Sequence, residues 1–168
     1  SSVTPTTVPS APTIGTATAG NGTVAVAFTT PASNGGSPIT GYTATCSGVG
    51  GPYAGTGGGT PISVTVPNGT AVTCTVHATN VAGNSLESSP SSSVTPATVP
   101  SAPTIGTATA GNGTVAVAFT TPGSNGGSPI TGYTATCTGT GGPFTNTGST
   151  PSISVTVPNG TAVTCTVH

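Results

Sequence analysis

No lysine, arginine or aspartate occurs in this chain, and Glu87 is its only acid. Each absence excludes something. Without cations there is no basic surface for a nucleic-acid backbone and no polybasic patch for an anionic membrane. Without Lys there is no Lys–Asn isopeptide cross-link, and without Lys or Arg no cleavage site for a trypsin-like protease. General acid–base catalysis needs a histidine or carboxylate beside a nucleophile. A Ser–His–Asp arrangement cannot be built without Asp, and calcium normally wants several carboxylate oxygens. The chain is therefore read as non-enzymatic, with no cofactor and no metal. Tryptophan and methionine are also missing. No apolar run approaches the roughly 20 residues that span a bilayer, so membrane insertion is not expected. No stretch shows helical periodicity, and no signal peptide is visible, which reads as a mature or internal fragment.

What is present is a repeat. Val8-Pro9-Ser10-Ala11-Pro12-Thr13 returns 91 residues later as Val99-Pro100-Ser101-Ala102-Pro103-Thr104, and only ten of the 70 positions compared between 8–77 and 99–168 differ. That period fits one small domain rather than a short solenoid repeat. A near-copied module commonly supplies length, spacing or many weak contacts.

Within one period the pattern is that of β-strands. Val24, Val26 and Phe28 alternate with polar or small residues over 22–30, and Tyr42, Ala44 and Cys46 share one face of a strand over 39–46. Residues 47–61 are rich in Gly, Ser, Thr and Pro and read as mostly loop. Ile62, Val64 and Val66 mark another strand, and Pro67-Asn68-Gly69-Thr70 a tight turn. Val72, Cys74, Val76 and Ala78 line the inner face of the next strand. Residues 85–95 read as a last, edge-like strand, with Pro90 confining it to an edge. The 27 Gly and 17 Pro punctuate these runs as turns, so the fold class is all-β.

Certain of these residues carry a family resemblance: Pro9-Ser10-Ala11-Pro12 at entry, Val24-Ala25-Val26-Ala27-Phe28, Gly35-Gly36-Ser37-Pro38-Ile39-Thr40-Gly41-Tyr42, and Val76-His77-Ala78-Thr79-Asn80-Val81-Ala82-Gly83-Asn84-Ser85. The chain resembles tandem fibronectin type III domains, particularly those of bacterial secreted and cell-surface proteins. It departs from them at Phe28, where the family usually has Trp, and at Val72, where its corner Tyr is expected. The resemblance implies tandem immunoglobulin-like seven-stranded β-sandwiches. Residues 1–7 would be the tail of a preceding repeat or a linker, 8–96 the first repeat, and 97–168 a second repeat lacking its last strand. Ser1-Ser2-Val3-Thr4-Pro5 matches Ser92-Ser93-Val94-Thr95-Pro96, which reads as part of a longer array. Another chain's strand filling the gap is the sharper alternative.

The family fold also makes the third and sixth strands antiparallel neighbours. That implies disulfides Cys46–Cys74 and Cys137–Cys165, each contributing about 3 kcal/mol; two small buried thiols are the alternative. Oxidised pairs imply an extracellular or cell-surface location. The integrin-type tripeptide of Arg, Gly and Asp cannot occur here.

Apart from Ala32/Gly123, the other nine differences lie between Ser47/Thr138 and Pro61/Ser152. Tyr53/Phe144 is aromatic in both copies, a possible contact for a sugar ligand on a loop; relaxed constraint in a surface loop is the plainer reading. Asn21-Gly22-Thr23 and Asn68-Gly69-Thr70 match the glycosylation sequon, although Asn-Gly is also a preferred turn dipeptide. His77 reads as a solvated strand residue. A surface of Thr, Ser, Asn and Gly lacks the charged residues that normally keep β-edges apart. The expected function is thus a structural repeat of an extracellular stalk or surface filament, self-associating with other copies and adhesive in one version. The alternative is a spacer or carbohydrate-binding module of a secreted polysaccharide-degrading enzyme. An ice- or mineral-facing array of Thr43, Thr45, Thr73 and Thr75 is a third reading.

Overall fold

The computed structural model describes residues 5–168; residues 1–4, and with them most of the match to 92–96, lie outside the described residues. The chain divides into two compact units, the first reaching Thr98 and the second spanning Val99–His168. All regular structure among the described residues is β.

Unit 1 has seven strands: β1 Thr13–Ala19, β2 Thr23–Thr29, β3 Gly41–Gly48, β4 Tyr53–Gly57, β5 Ile62–Thr65, β6 Val72–Asn80 and β7 Gly83–Asn84. They form two sheets, ordered β1-β2-β5 and β4-β3-β6-β7. All pairings are antiparallel. This is the sandwich that the family resemblance implies. The alternating residues meet between the sheets: Val24, Val26 and Phe28 from β2, Tyr42, Ala44 and Cys46 from β3, and Val72, Cys74, Val76 and Ala78 from β6 are buried in one cluster with Ile62, Val64 and Val66. Phe28, standing where a larger indole is usual, packs against Tyr42 with the rings tilted and their centroids 4.8 Å apart.

Unit 2 has β8 Thr104–Ala110, β9 Thr114–Thr120, β10 Tyr133–Gly139, β11 Phe144–Gly148, β12 Ser152–Thr156 and β13 Val163–Val167. Its sheets are β12-β9-β8 and β11-β10-β13. Its aromatic pair is Phe119–Tyr133, again at 4.8 Å.

Three details go beyond the sequence reading. Residues 47–61, read as mostly loop, also hold a strand that the sequence did not show, β4. At Gly55 the backbone of β4 passes close to β5: a Cβ there would stand 2.5 Å from the Ser63 carbonyl oxygen. In unit 2 the counterpart of Gly55 is Asn146, whose Nδ2 donates to Ser154 O at 2.8 Å. The second detail is at 67–70, where the expected tight turn forms and joins β5 to β6 across the two sheets. Gly69 has φ +85° and Thr70 N donates to Pro67 O, a type II geometry that needs a residue free of Cβ at that position. Also, β1 (Thr-Ile-Gly-Thr-Ala-Thr-Ala) offers too little alternation to be read from sequence, and its pairing with β2 shifts register between Ile14 and Ala17.

The largest difference concerns 85–95, where no regular strand forms after Asn84. The segment advances with a period of three. Ser85, Ser88 and Ser91 are buried while the two residues after each are exposed. Their N–H groups donate to the carbonyls of Ala78, Val76 and Cys74. The N–H groups of those same three residues donate back to the serine Oγ atoms at 3.0 to 3.1 Å. Each serine hydroxyl thus replaces the backbone carbonyl that an ordinary ladder would use, and donates its own proton to the following residue's carbonyl. Val94 closes the run with a conventional reciprocal pair to Val72. Three residues matched to two residues of β6 cannot keep strand alternation, which a period-two reading misses. Pro90 falls on an outward position, where its missing N–H costs nothing.

Candidate functional site

The disulfides are the most defined chemical feature. Cys46 pairs directly with Cys74 across β3 and β6, and Cys137 with Cys165 across β10 and β13. Both pairs are bonded, and no free cysteine remains among the described residues. In unit 2, Thr134 and His168 exchange both backbone bonds. Counting from that pair, Cys137 and Cys165 sit opposite each other at a non-hydrogen-bonded position, where strands approach most closely. The Cα–Cα separation is 4.0 Å in both units. Cys46, Cys74 and Cys137 are fully buried. The alternative of paired free thiols is not what the structure holds, and two disulfides fit an oxidising compartment.

The variable stretch runs from the end of β3 through β4 to the start of β5, and its copy from β10 through β11 to β12; the aromatic residue opens β4 and β11. Tyr53 is half-buried at the start of β4 and packs against the first core. Its hydroxyl donates to Val49 O at 2.7 Å, and a Cβ on Gly51 would meet its ring at 2.9 Å. The ring is thus a brace under the hairpin backbone. Phe144 repeats the packing against Gly142 without the hydroxyl. The two aromatics stand at equivalent places in separate units, and within neither unit does a second aromatic join them in the loop.

The outward face of the β3–β6 pair carries Thr45 opposite Thr75, Thr43 opposite His77, and Ser47 opposite Thr73. Thr136 opposite Thr166 and Thr138 opposite Thr164 repeat it. His77 Nδ1 lies 2.7 Å from Glu87 Oε1, so the one acid of the chain pins the triplet segment to β6, and His77 is partnered rather than simply solvated. Both sequon-bearing turns are tied to each other: Asn68 Oδ1 accepts from Gly22 N at 2.7 Å, and its Nδ2 donates to Asn21 Oδ1 at 2.8 Å. Asn159 does the same with Gly113 and Asn112. These side chains join the β1–β2 turn to the β5–β6 turn. Nothing in the sequence spacing points to that bridge.

Among the described residues no group of three or more His, Cys, Asp or Glu side chains could hold a metal ion, and no helix is long and apolar enough to cross a membrane. No family model matches the chain, and no curated protein matches it. It is similar to solved structures built of fibronectin type III and Ig-like domains. A titin domain structure is 27% identical over 52% of this chain, with a TM-score of 0.45. The chicken CNTN1 FN1–FN3 domains are 16% identical over 95% of it, with a TM-score of 0.47. The twitchin kinase region from C. elegans is 22% identical over 55%, with a TM-score of 0.48. The chain spans 32% of the titin chain, 55% of the CNTN1 chain and 18% of the twitchin chain.

Proposed function

We propose that this chain is a non-catalytic structural repeat of an extracellular stalk or surface filament, of the kind built from fibronectin type III-like modules in bacterial secreted proteins. The observation that carries this reading is the duplication of one disulfide-locked sandwich under a surface without cations. Copies of the same unit, 91 residues apart, provide length and not a second chemistry. Each disulfide ties two neighbouring strands of one sheet, so a unit under tension or in an oxidising medium keeps its core closed. The Thr, Ser and Gly surface gives little electrostatic repulsion between neighbours, which favours side-by-side association with other copies. The absence of Lys and Arg denies trypsin-like proteases a cleavage site. The glycan-binding alternative relies on Tyr53 and Phe144. The use of the Tyr53 hydroxyl within its own hairpin supports the structural role over a ligand contact.

Electron microscopy of purified native material tests the proposal. Fibres or rods with an axial repeat of one or two modules are expected. Isolated beads with no lateral or end-to-end association, together with measurable binding of a polysaccharide lost on Tyr53→Ala and Phe144→Ala, would replace it with the carbohydrate-binding reading.

A further inference from the structure

We infer that the free edge of β4 in unit 1 is a self-pairing interface, which adds antiparallel to the β4 edge of a second copy of this chain. It gives one strand to the side-by-side association proposed above, and it rests on that reading.

The register decides which backbone groups face outward. Cys74, Val76 and Ala78 of β6 bond to Ser91, Ser88 and Ser85. Thr73, Thr75 and His77 are therefore the residues of β6 that bond to β3, opposite Ser47, Thr45 and Thr43. That leaves Tyr42, Ala44 and Cys46 to bond to β4, opposite Gly57, Gly55 and Tyr53. The N–H and C=O groups of Ala54 and Thr56 consequently point to the outer edge of the sheet. Among the described residues no further strand pairs with β4 there, and both residues are exposed.

In unit 2, β11 holds the same place and register against β10, yet its edge is stopped. Asn146 stands where unit 1 has Gly55. Its Oδ1 accepts from Thr147 N at 2.9 Å, the copy of the outward Thr56 N–H, and its Nδ2 donates to Ser154 O of β12 at 2.8 Å. One side chain thus consumes an edge donor and ties the edge to the facing sheet. The neighbouring differences run the same way: Val49, Ala54, Gly58 and Gly59 are Thr140, Thr145, Ser149 and Thr150 in unit 2. Val49, whose carbonyl holds the Tyr53 hydroxyl at the start of β4, is 89% exposed. Open edges are normally stopped by charge, proline or a bulge. β4, Tyr-Ala-Gly-Thr-Gly, carries neither charge nor proline and pairs with β3 without a register shift.

The pattern of this edge suits its own copy. A two-fold axis at Gly55 sets two glycines opposite each other at a non-hydrogen-bonded pair, where strands approach most closely. No side chain stands between the strands at that point. Ala54 then meets the partner's Thr56, and Thr56 the partner's Ala54, and each pair exchanges two N–H to carbonyl bonds. The only acid, Glu87, is held on His77 of β6 and not on β4, so two copies meet without facing charges. An isologous contact of this kind closes at two chains, and the edge stopped by Asn146 does not extend it.

Analytical ultracentrifugation of the full, disulfide-bonded chain, with amide exchange followed as concentration rises, tests the interface. A monomer–dimer equilibrium is expected, with exchange slowing at Ala54 and Thr56 and unchanged at Thr145 and Thr147. Gly55→Asn, which copies the unit 2 edge, should weaken the dimer at least about tenfold, because two of its four backbone bonds lose their donors. Thr56→Pro should do the same, since the N–H it removes points outward from an edge strand. Whichever of the two melts as the parent does is the one read. A chain that stays monomeric up to about millimolar concentration overturns the inference, as does a dimer that such a variant leaves intact. Exchange at Ala54 and Thr56 that slows only when a peptide of alternating threonine and valine is added would assign the edge to a foreign strand, and also overturns it. Fibres seen by microscopy from a chain that is monomeric in this test would leave the stalk reading standing without this edge.

Discussion

Units 1 and 2 share nearly every residue between β1 and the end of β6, yet they are covered differently. In unit 1 the inner residues of β6 are fully sealed; in unit 2 those of β13 are half-covered. The exposure extends to β8, where Ile105 is 42% exposed while its copy Ile14 packs on the first core. Almost the same sequence therefore gives the same strands and registers but a different degree of burial. Local pattern and cross-strand pairing decide the former. The segment 85–96, which contains no strand beyond Asn84, decides the latter.

That comparison can be sharpened most by giving unit 2 what unit 1 has. Appending the sequence of 78–96 after His168 should supply five backbone bonds and three serine bonds of the kind seen in unit 1. A gain on the order of 5 kcal/mol is expected. Urea denaturation of the unextended chain should show unit 2 melting first, and the extension should merge the two transitions. Two transitions that persist with unchanged midpoints would mean that the segment does not account for the difference.

Breaking the aromatic pair should cost next most. Phe28→Ala leaves a cavity beside Tyr42 and should lower the stability of unit 1 by about 4 kcal/mol, leaving the unit 2 transition in place. The disulfides come third. Changing Cys46 and Cys74 together to Ser should remove about 3 kcal/mol from unit 1. The same change at Cys137 and Cys165 should leave unit 2 without cooperative melting, because its less covered core has less stability to lose; calorimetry separates the two.

Smaller effects discriminate between kinds of contact. Ser88→Ala orphans the buried Val76 N–H and should cost unit 1 about 2 kcal/mol. Ser89→Ala, one residue on and facing solvent, should stay within about 0.5 kcal/mol. Equal effects at the two positions would refute the period of three. Finally, Asn68→Ala and Asn159→Ala should each cost about 1 kcal/mol. They should do so equally, since the bond to Gly22 N and to Gly113 N is 2.7 Å in both units. A clear inequality would show that the missing coverage in unit 2 reaches the opposite end of the sandwich.

Much of this was legible without coordinates. The alternation of Val24-Val26-Phe28 and Val72-Cys74-Val76 marks inward faces, because a strand turns one side chain in two toward the core. The 91-residue period declares two copies, and the lack of charge limits the chemistry. The pairing of Cys46 with Cys74 needed the fold that the resemblance supplied, since strand order is a long-range property. Other features lay beyond sequence reasoning because they depend on which backbone atoms meet. A glycine-rich stretch became β4 because its backbone pairs with β3, as the copy carrying Asn146 pairs with β10. Tyr53, which reads as an exposed loop aromatic, became a brace because its hydroxyl reaches Val49. Asn21 and Asn68, 47 residues apart, were joined by two turns that no spacing rule connects. The serine triplet was visible as letters in 85–93, but its meaning was not. Only the β6 edge, with its donors fixed at every second residue, shows why a hydroxyl is wanted at every third.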